Sequence, residues 1–170
     1  KLTTDLSVLS AQDLKMIPLM IGAANIMDSI FWRESWGAPD SIPMPAPDAD
    51  VKRFFHLNYG PWDRLNGDAP FIDGVGPRPK GARFYPADML PDEFDAWSDN
   101  AKKSQYTMVR RNVQGKLTAI PYHVFFKGPV LRAAALLDRA STLAVDAGQK
   151  RYLQARAEAL AQRIARTGVR

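Results

Sequence analysis

Residues 60–86 read GPWDRLNGDAPFIDGVGPRPKGARFYP, and how that stretch is understood decides the fold. Its density of Gly, Pro, Asp and Asn argues against a helix or a regular strand. Yet it also carries Trp62, Leu65, Phe71, Ile72, Val75, Phe84 and Tyr85. A segment without order has no use for so many large apolar groups. We therefore read residues 60–86 as a long loop packed against the body of the protein, of the kind that is functional or shaped by a neighbouring domain. Trp62 should be substantially buried there. Arg64 should pair with backbone carbonyls or an acid, holding the loop rather than reacting.

Helical periodicity surrounds this loop. Upstream, Val51, Phe54, Phe55 and Asn58 share one helical face, and Gly60-Pro61 is a stop signal. Gly37 to Pro47 holds four prolines and reads as a connector. Ser10 with Asp13 resembles a capping box opening a longer helix. Behind it Ile17, Met20, Ala24, Met27 and Phe31 form one apolar row, and Leu19, Ala23, Ile26 and Ile30 a second. Pro18 predicts a kink or a late start.

Downstream, Pro91 with Asp92 and Glu93 suits a helix N-terminus carrying Phe94 and Trp97. Tyr106 to Arg111 and Lys116 to Ile120, joined by Asn112-Val-Gln-Gly115, predict a β-hairpin ended by Pro121. A lone hairpin is marginal in water, so it packs on the helices or waits for further strands. Two helices close the chain. Val130, Ala134, Leu137, Ser141 and Ala144 form the stripe of the first. Leu153, Ala157, Leu160 and Ile164 form that of the second, with Gly148 as the break between them. The expected fold is mainly α with one β-hairpin (α+β), its helices packed around the long ordered Gly/Pro-rich loop. Residues 1–170 form a single domain or a partial lobe of something larger.

Composition narrows the function classes. With 170 residues the chain can hold one real core. It has no cysteine, which excludes a disulfide scaffold, a thiolate metal site and a cysteine nucleophile, and fits bacterial periplasm or cytoplasm equally. The chain opens on Lys1, so a natural N-terminus is expected to have been removed. The most apolar run, Met16 to Met27, is broken by Pro18 and Asn25 and falls short of the roughly 20 residues of a membrane span. No membrane partner is expected. The net charge of +5 is local: the excess lies in residues 147–170, where Lys150, Arg151, Arg156, Arg163, Arg166 and Arg170 face only Glu158. Such a helix suits phosphates or an acidic protein partner. Only Tyr152 accompanies the arginines as a stacking platform, which argues against nucleic acid.

A search for chemistry finds little. There are two histidines. His56 lies off the apolar face of its helix and reads as solvent-facing. His123, just after the hairpin, is the one alternative site residue, paired with a loop carboxylate such as Asp63 or Asp73. No HExxH or G-x-S-x-G sequence is present. Gly74 to Gly81 fails as a phosphate loop: Lys80 precedes Gly81, and two prolines remove amide donors. Asp92-Glu93 fits a helix start, and Asp28 and Glu34 do not meet on one helix face. No residue is assigned a catalytic or metal-binding role, and no cofactor is expected in this chain.

Several phrases do resemble a known family. Asn58-Tyr-Gly-Pro-Trp-Asp-Arg-Leu65, Pro70-Phe-Ile, Gly74-Val-Gly-Pro77 and Phe84-Tyr-Pro-Ala-Asp-Met89 are similar to bacterial dipeptidyl-peptidase III-like zinc metallopeptidases. So are Glu93-Phe94, the hairpin leading to Ile120-Pro-Tyr-His123, and, upstream, Asp5-Leu-Ser7 and Ile26-Met-Asp28 through Trp32. Tyr152-Leu with Arg156-Ala-Glu-Ala-Leu160 continues the likeness, whereas the basic Ala161 to Arg170 departs from the family's acidic, aromatic continuation.

The resemblance implies the N-terminal portion of a two-lobed peptidase that releases dipeptides from peptide N-termini. It also implies a catalytic zinc held by an HExxGH helix and a later glutamate, none of which maps onto this sequence. The expected partner is then the remainder of the parent peptidase, with peptide substrate bound only by the full-length protein and the present chain inert alone. The alternative is a stand-alone binding module using the basic C-terminal helix against nucleic acid or an acidic protein.

Overall fold

The computed structural model describes residues 3–37 and 48–165. Most of the Gly37–Pro47 connector, and Arg166 and Arg170, therefore lie outside the described residues. In chain order the elements are α1 (Ala11–Ser35), α2 (Ala49–Asn58), β1 (Trp62–Asp63), β2 (Ala69–Pro70), α3 (Pro91–Ala96), a 3-10 turn (Asn100–Lys103), β3 (Thr107–Arg111), β4 (Leu117–Pro121), α4 (Tyr122–Phe125), α5 (Lys127–Leu143) and α6 (Ala147–Ala165). The fold is mainly helical with antiparallel strand pairs. The hairpin expected at 106–120 is present, in the register Thr107↔Pro121 to Arg111↔Leu117. A second pair, Trp62↔Pro70 and Asp63↔Ala69, lies inside the Gly/Pro loop.

The chain divides into two compact units, residues 1–30 with 122–170, and residues 31–121. The first is helical. The capping box is formed: Asp13 N–H donates to Ser10 Oγ (3.1 Å), and Ser10 N–H donates to Asp13 Oδ2 (3.0 Å). Pro18 neither delays nor ends α1, which runs 25 residues through it. The helix holds because its apolar stripe is buried on both sides of the proline, at Met16 and at Ala23. Met16 packs with Ala140 of α5 and Leu153 of α6, and Leu19, Leu137, Leu143 and Ala144 surround them. Where α1 meets α5, the tip of Leu136 would lie 3.2 Å from a Cβ on Gly22, a tight contact to which the leucine would have to yield by a few tenths of an ångström.

Two sequence readings need correction here. Gly148 is not the break between the last helices. It lies inside α6, and the break is extended backbone at Ala144 followed by Asp146, whose carboxylate accepts the Gln149 N–H at 2.7 Å. A capping carboxylate outweighs a glycine as a start signal. The apolar run of α1 is also longer than it reads. An 18-residue window reaches a mean hydropathy of 1.3, long and apolar enough to cross a membrane by length and composition alone, and only 17% of it is buried. Met20, Ile21 and Met27 are among its exposed side chains.

The second unit is built around the loop. Trp32, Phe55 and Ile72 are its core, with Trp36, Tyr59, Phe71 and Val75 packed against them. The rings of Trp32 and Phe55 stack at 5.4 Å. Helix α2 starts on Asp48, which accepts the Asp50 N–H, and ends with Tyr59 in the left-handed conformation (φ 53°). The Gly60 N–H then closes the helix on Phe55 O at 3.2 Å. In β3, Thr107, Met108 and Val109 are all buried, so the hairpin is covered on both faces at that end.

Candidate functional site

The stretch that resembles a peptidase family forms one tied structure, and its knot is Asn58. This side chain is 8% exposed. Its amide donates back to Phe54 O (3.0 Å), and its Oδ1 accepts the Arg64 N–H (3.0 Å). Arg64 answers by donating Nε to Asn58 O (2.8 Å) and Nη2 to Ser35 Oγ (3.1 Å). Its guanidinium lies 5.1 Å from the Phe31 ring centroid and 5.6 Å from that of Tyr59. Burial holds the guanidinium below its ordinary pKa, and the neighbouring charge of Arg78 adds to this. It stays protonated, since an arginine pKa lies far above neutral. A cation so placed between two rings and two oxygens is a clamp.

Trp62 is 4% exposed. Its indole N–H donates to Gly76 O (2.9 Å), spanning the loop, and its ring meets Trp36 edge-on at 4.8 Å. Between the short strands, Asp63 Oδ1 accepts the Leu65 N–H, and its carbonyl accepts the N–H groups of Asn66 and Asp68. Asp63 is thus a turn residue. Leu65, at the tip, is 99% exposed. Arg78 pairs with Asp68 at 3.0 Å. The next part of the loop is fastened too: Arg83 N–H donates to Glu34 O (2.9 Å), and its Nε donates to Trp36 O.

Two further cations proved to be organisers that the sequence did not single out. Arg111 donates Nε to Asp88 Oδ2, Nη1 and Nη2 to the two oxygens of Glu93, and Nη1 also to Gly115 O. Those hydrogen bonds hold the Glu93 carboxyl below its ordinary pKa and raise that of Arg111. Lys102 Nζ donates to the carbonyls of Phe94, Asp95 and Trp97 at the end of α3, with the Phe94 ring 4.7 Å away. The carboxylate partners of Arg111 lie 18 and 23 residues away and leave no local signal, whereas the carbonyls that Lys102 meets lie 5 to 8 residues before it.

The histidines are placed as follows. His56 is exposed and edges onto the Trp32 ring at 5.5 Å. His123, on α4, is half-buried, and its Nε2 is buried with no hydrogen-bond partner among the described residues. His123 belongs to one compact unit, and Asp63 and Asp73 to the other. Among the described residues no three His, Cys, Asp or Glu side chains come together to hold a metal ion. Among the described residues, then, no donor set fits the zinc that the resemblance implies. On α6, Lys150, Arg151 and Arg156 are exposed, and the Arg156 guanidinium lies over the Tyr152 ring at 5.4 Å. Described side chains on α6 end at Gln162, leaving Arg163 and Ile164 outside them.

Comparison with solved structures gives a consistent direction. No protein-family model matches the chain. Among solved structures, dipeptidyl-peptidase III from Caldithrix abyssi superposes with a TM-score of 0.79 and 37% sequence identity, covering 94% of this chain and 32% of that one. Dipeptidyl-peptidase III from Corallococcus sp. strain EGB gives 0.78 and 31%, covering 95% and 32%. A protein of Arabidopsis thaliana named Nudix hydrolase 3 is 23% identical, covering 93% of this chain and 28% of its own length. The chain thus resembles bacterial dipeptidyl-peptidase III in fold and sequence nearly throughout. It spans about a third of the length of the relatives it matches.

Proposed function

We propose that this chain is the N-terminal scaffold of a zinc-dependent peptidase resembling dipeptidyl-peptidase III, one that releases dipeptides from peptide N-termini. The observation that carries the reading is the likeness to that peptidase at 37% identity over 94% of the chain. The chemistry of the second unit supports a scaffold role. Arg64, Arg111 and Lys102 are engaged by carbonyls, carboxylates and rings of the same unit. Asp63, Asp68, Asp88 and Glu93 are likewise engaged in turns and ion pairs. Catalytic zinc then belongs to polypeptide outside this sequence, and so does the grip on substrate.

The poorly covered apolar face of α1 supports the same reading, because a lobe fragment exposes surface that its parent covers. The expected partner is the remainder of the parent peptidase. Zinc stoichiometry tests this. The present chain should retain no zinc on equilibrium dialysis, and a polypeptide extended through its gene should retain one ion. Stoichiometric zinc on the present chain would overturn the reading.

The rival is the binding module on α6, favoured by its exposed Lys150, Arg151 and Arg156. It requires an affinity for an acidic peptide or for nucleic acid that falls steeply with salt.

A further inference from the structure

The turn between β1 and β2 carries the chain's one Asn-Gly pair, Asn66-Gly67. The other asparagines precede Ile26, Tyr59, Ala101 and Val113, so each is followed by a residue with a Cβ. The difference is chemical. An asparagine carboxamide can be attacked by the backbone nitrogen of the next residue, and a Cβ there crowds the approach.

The turn leaves that approach open at Asn66. Asn66 is exposed and follows the fully exposed Leu65. Gly67 is left-handed (φ +61°), and a Cβ built on it would meet nothing within 4 Å. The amides on either side of Gly67 are bonded: the Asn66 and Asp68 N–H groups donate to Asp63 O, and the Ala69 N–H donates to Asn66 O. Among the described residues, the Gly67 N–H and the Asn66 carboxamide have no hydrogen-bond partner. The other asparagines differ. Asn58 is buried with both ends of its amide engaged. Asn112 Oδ1 accepts the Gln114 and Lys116 N–H groups. The amide after Asn100, that of Ala101, donates to the Asp99 carboxylate, and Asn25 lies inside α1.

We propose that Asn66 is a self-modification site, at which the folded turn converts asparagine to a mixture of isoaspartate and aspartate. Gly67 N attacks Asn66 Cγ: the N–Cγ bond forms, the Cγ–Nδ2 bond breaks, and ammonia leaves with the proton from Gly67 N. Water then opens the succinimide ring. Opening at Cγ restores the ordinary chain as an aspartate. Opening at the main-chain carbonyl routes the chain through the side chain and leaves isoaspartate. No oxidant, metal or enzyme is needed.

The isoaspartyl product undoes the turn. It lengthens the backbone by one carbon and turns Asn66 O, the acceptor of the Ala69 N–H, into part of a free carboxylate. Ala69 pairs with Asp63 across the strands, and the adjacent Asp68 holds Arg78 at 3.0 Å. The conversion therefore loosens the pairing of β1 with β2 and places a new negative charge next to Asp68.

Peptide mapping of the chain, incubated at mildly alkaline pH with and without urea, tests this. The peptide carrying Asn66 should gain about 1 Da and accept methyl groups from a protein-isoaspartate methyltransferase. The folded chain should convert within about tenfold of the rate in urea, because the glycine leaves the approach open in both. Peptides carrying Asn58 and Asn112 should stay unchanged in the folded chain. In the purified isoaspartyl form the Ala69 amide should exchange with solvent at least about tenfold faster than in the native chain. Asn66→Asp, which adds the charge without lengthening the backbone, should leave that amide as it is. Conversion of Asn66 in urea but not in the folded chain would overturn the proposal, because the turn would then protect the site. Undiminished methyl acceptance by Asn66→Gln would also overturn it, by placing the isoaspartate elsewhere.

Discussion

Asn58 and Arg64 grip each other in both directions: Asn58 Oδ1 accepts the Arg64 backbone N–H at 3.0 Å, and Arg64 Nε donates to Asn58 O at 2.8 Å. This exchange turns the chain from the end of α2 into the loop. Because Asn58 is buried, removing its side chain leaves the Arg64 N–H without that acceptor. Asn58→Ala should therefore cost about 1–3 kcal/mol, read as a lower urea midpoint. Asn58→Leu being as stable as the native chain would contradict the grip.

Arg64→Lys should not rescue Arg64→Met. A lysine lacks the planar fork that reaches Asn58 O and Ser35 Oγ together while lying between the Phe31 and Tyr59 rings. Both substitutions should lower stability by about 1–3 kcal/mol. Calorimetric melting of the two variants decides it: full recovery with lysine would mean that charge alone matters.

At Trp62 the polar and apolar contributions separate. Trp62→Phe keeps a ring against Trp36 and loses the hydrogen bond to Gly76 O, a change of about 1 kcal/mol. Trp62→Ala also empties the site and should cost about 3–5 kcal/mol. Equal melting temperatures for the two variants would show that the indole ring packs on nothing that matters.

Two glycines with similar backbone angles make a controlled pair. Gly81 (φ +73°) and Gly115 (φ +76°) are both left-handed, but a Cβ on Gly81 would sit 2.4 Å from the Tyr85 ring, and one on Gly115 meets nothing within 4 Å. Both alanine variants carry the backbone penalty of about 1–2 kcal/mol. Gly81→Ala should be the worse by a further 1 kcal/mol or so. Matching urea midpoints would refute close packing of Tyr85 on the Gly81 backbone.

Glu93 gives a pH signature. Its folded pKa is depressed, chiefly by the hydrogen bonds from Arg111. A depressed carboxylate contributes stability above its unfolded value, about 4.3, and that contribution is lost as pH falls through the lower folded value. Between those two values Glu93→Gln should lose stability less steeply than the native chain. Parallel curves of urea midpoint against pH would remove Glu93 from the account.

What was legible in the sequence was local. Ser10 and Asp13 announce a helix within three residues, Asn112 to Gly115 announces a hairpin, and the apolar content of residues 60–86 announces a packed loop. These signals lie on one stretch of chain. The Arg111 clamp was not legible, because Asp88 and Glu93 reach it from other elements. The Asn58–Arg64 exchange is legible on one side: Arg64 is expected to meet backbone carbonyls and does so at Asn58 O, while the return bond from the Arg64 N–H to the Asn58 side chain has no signal in the sequence. The strand pair at Trp62 and Pro70 was absorbed into the loop; Gly67 and Asp68, both at positive φ, make its turn. In sequence the break before α6 reads as Gly148, because a glycine is visible there and the reach of the Asp146 carboxylate is not.

The central claim is that this chain is scaffold and that the chemistry lies elsewhere in a longer polypeptide. Release of dipeptides from dipeptidyl-naphthylamide substrates, with zinc added, tests it most directly when the present chain is compared with a version extended through its gene. The account predicts release by the extended protein and none above background by the present chain. Release by the present chain would contradict it, and His123, with its buried unpartnered Nε2, would be the first residue to replace.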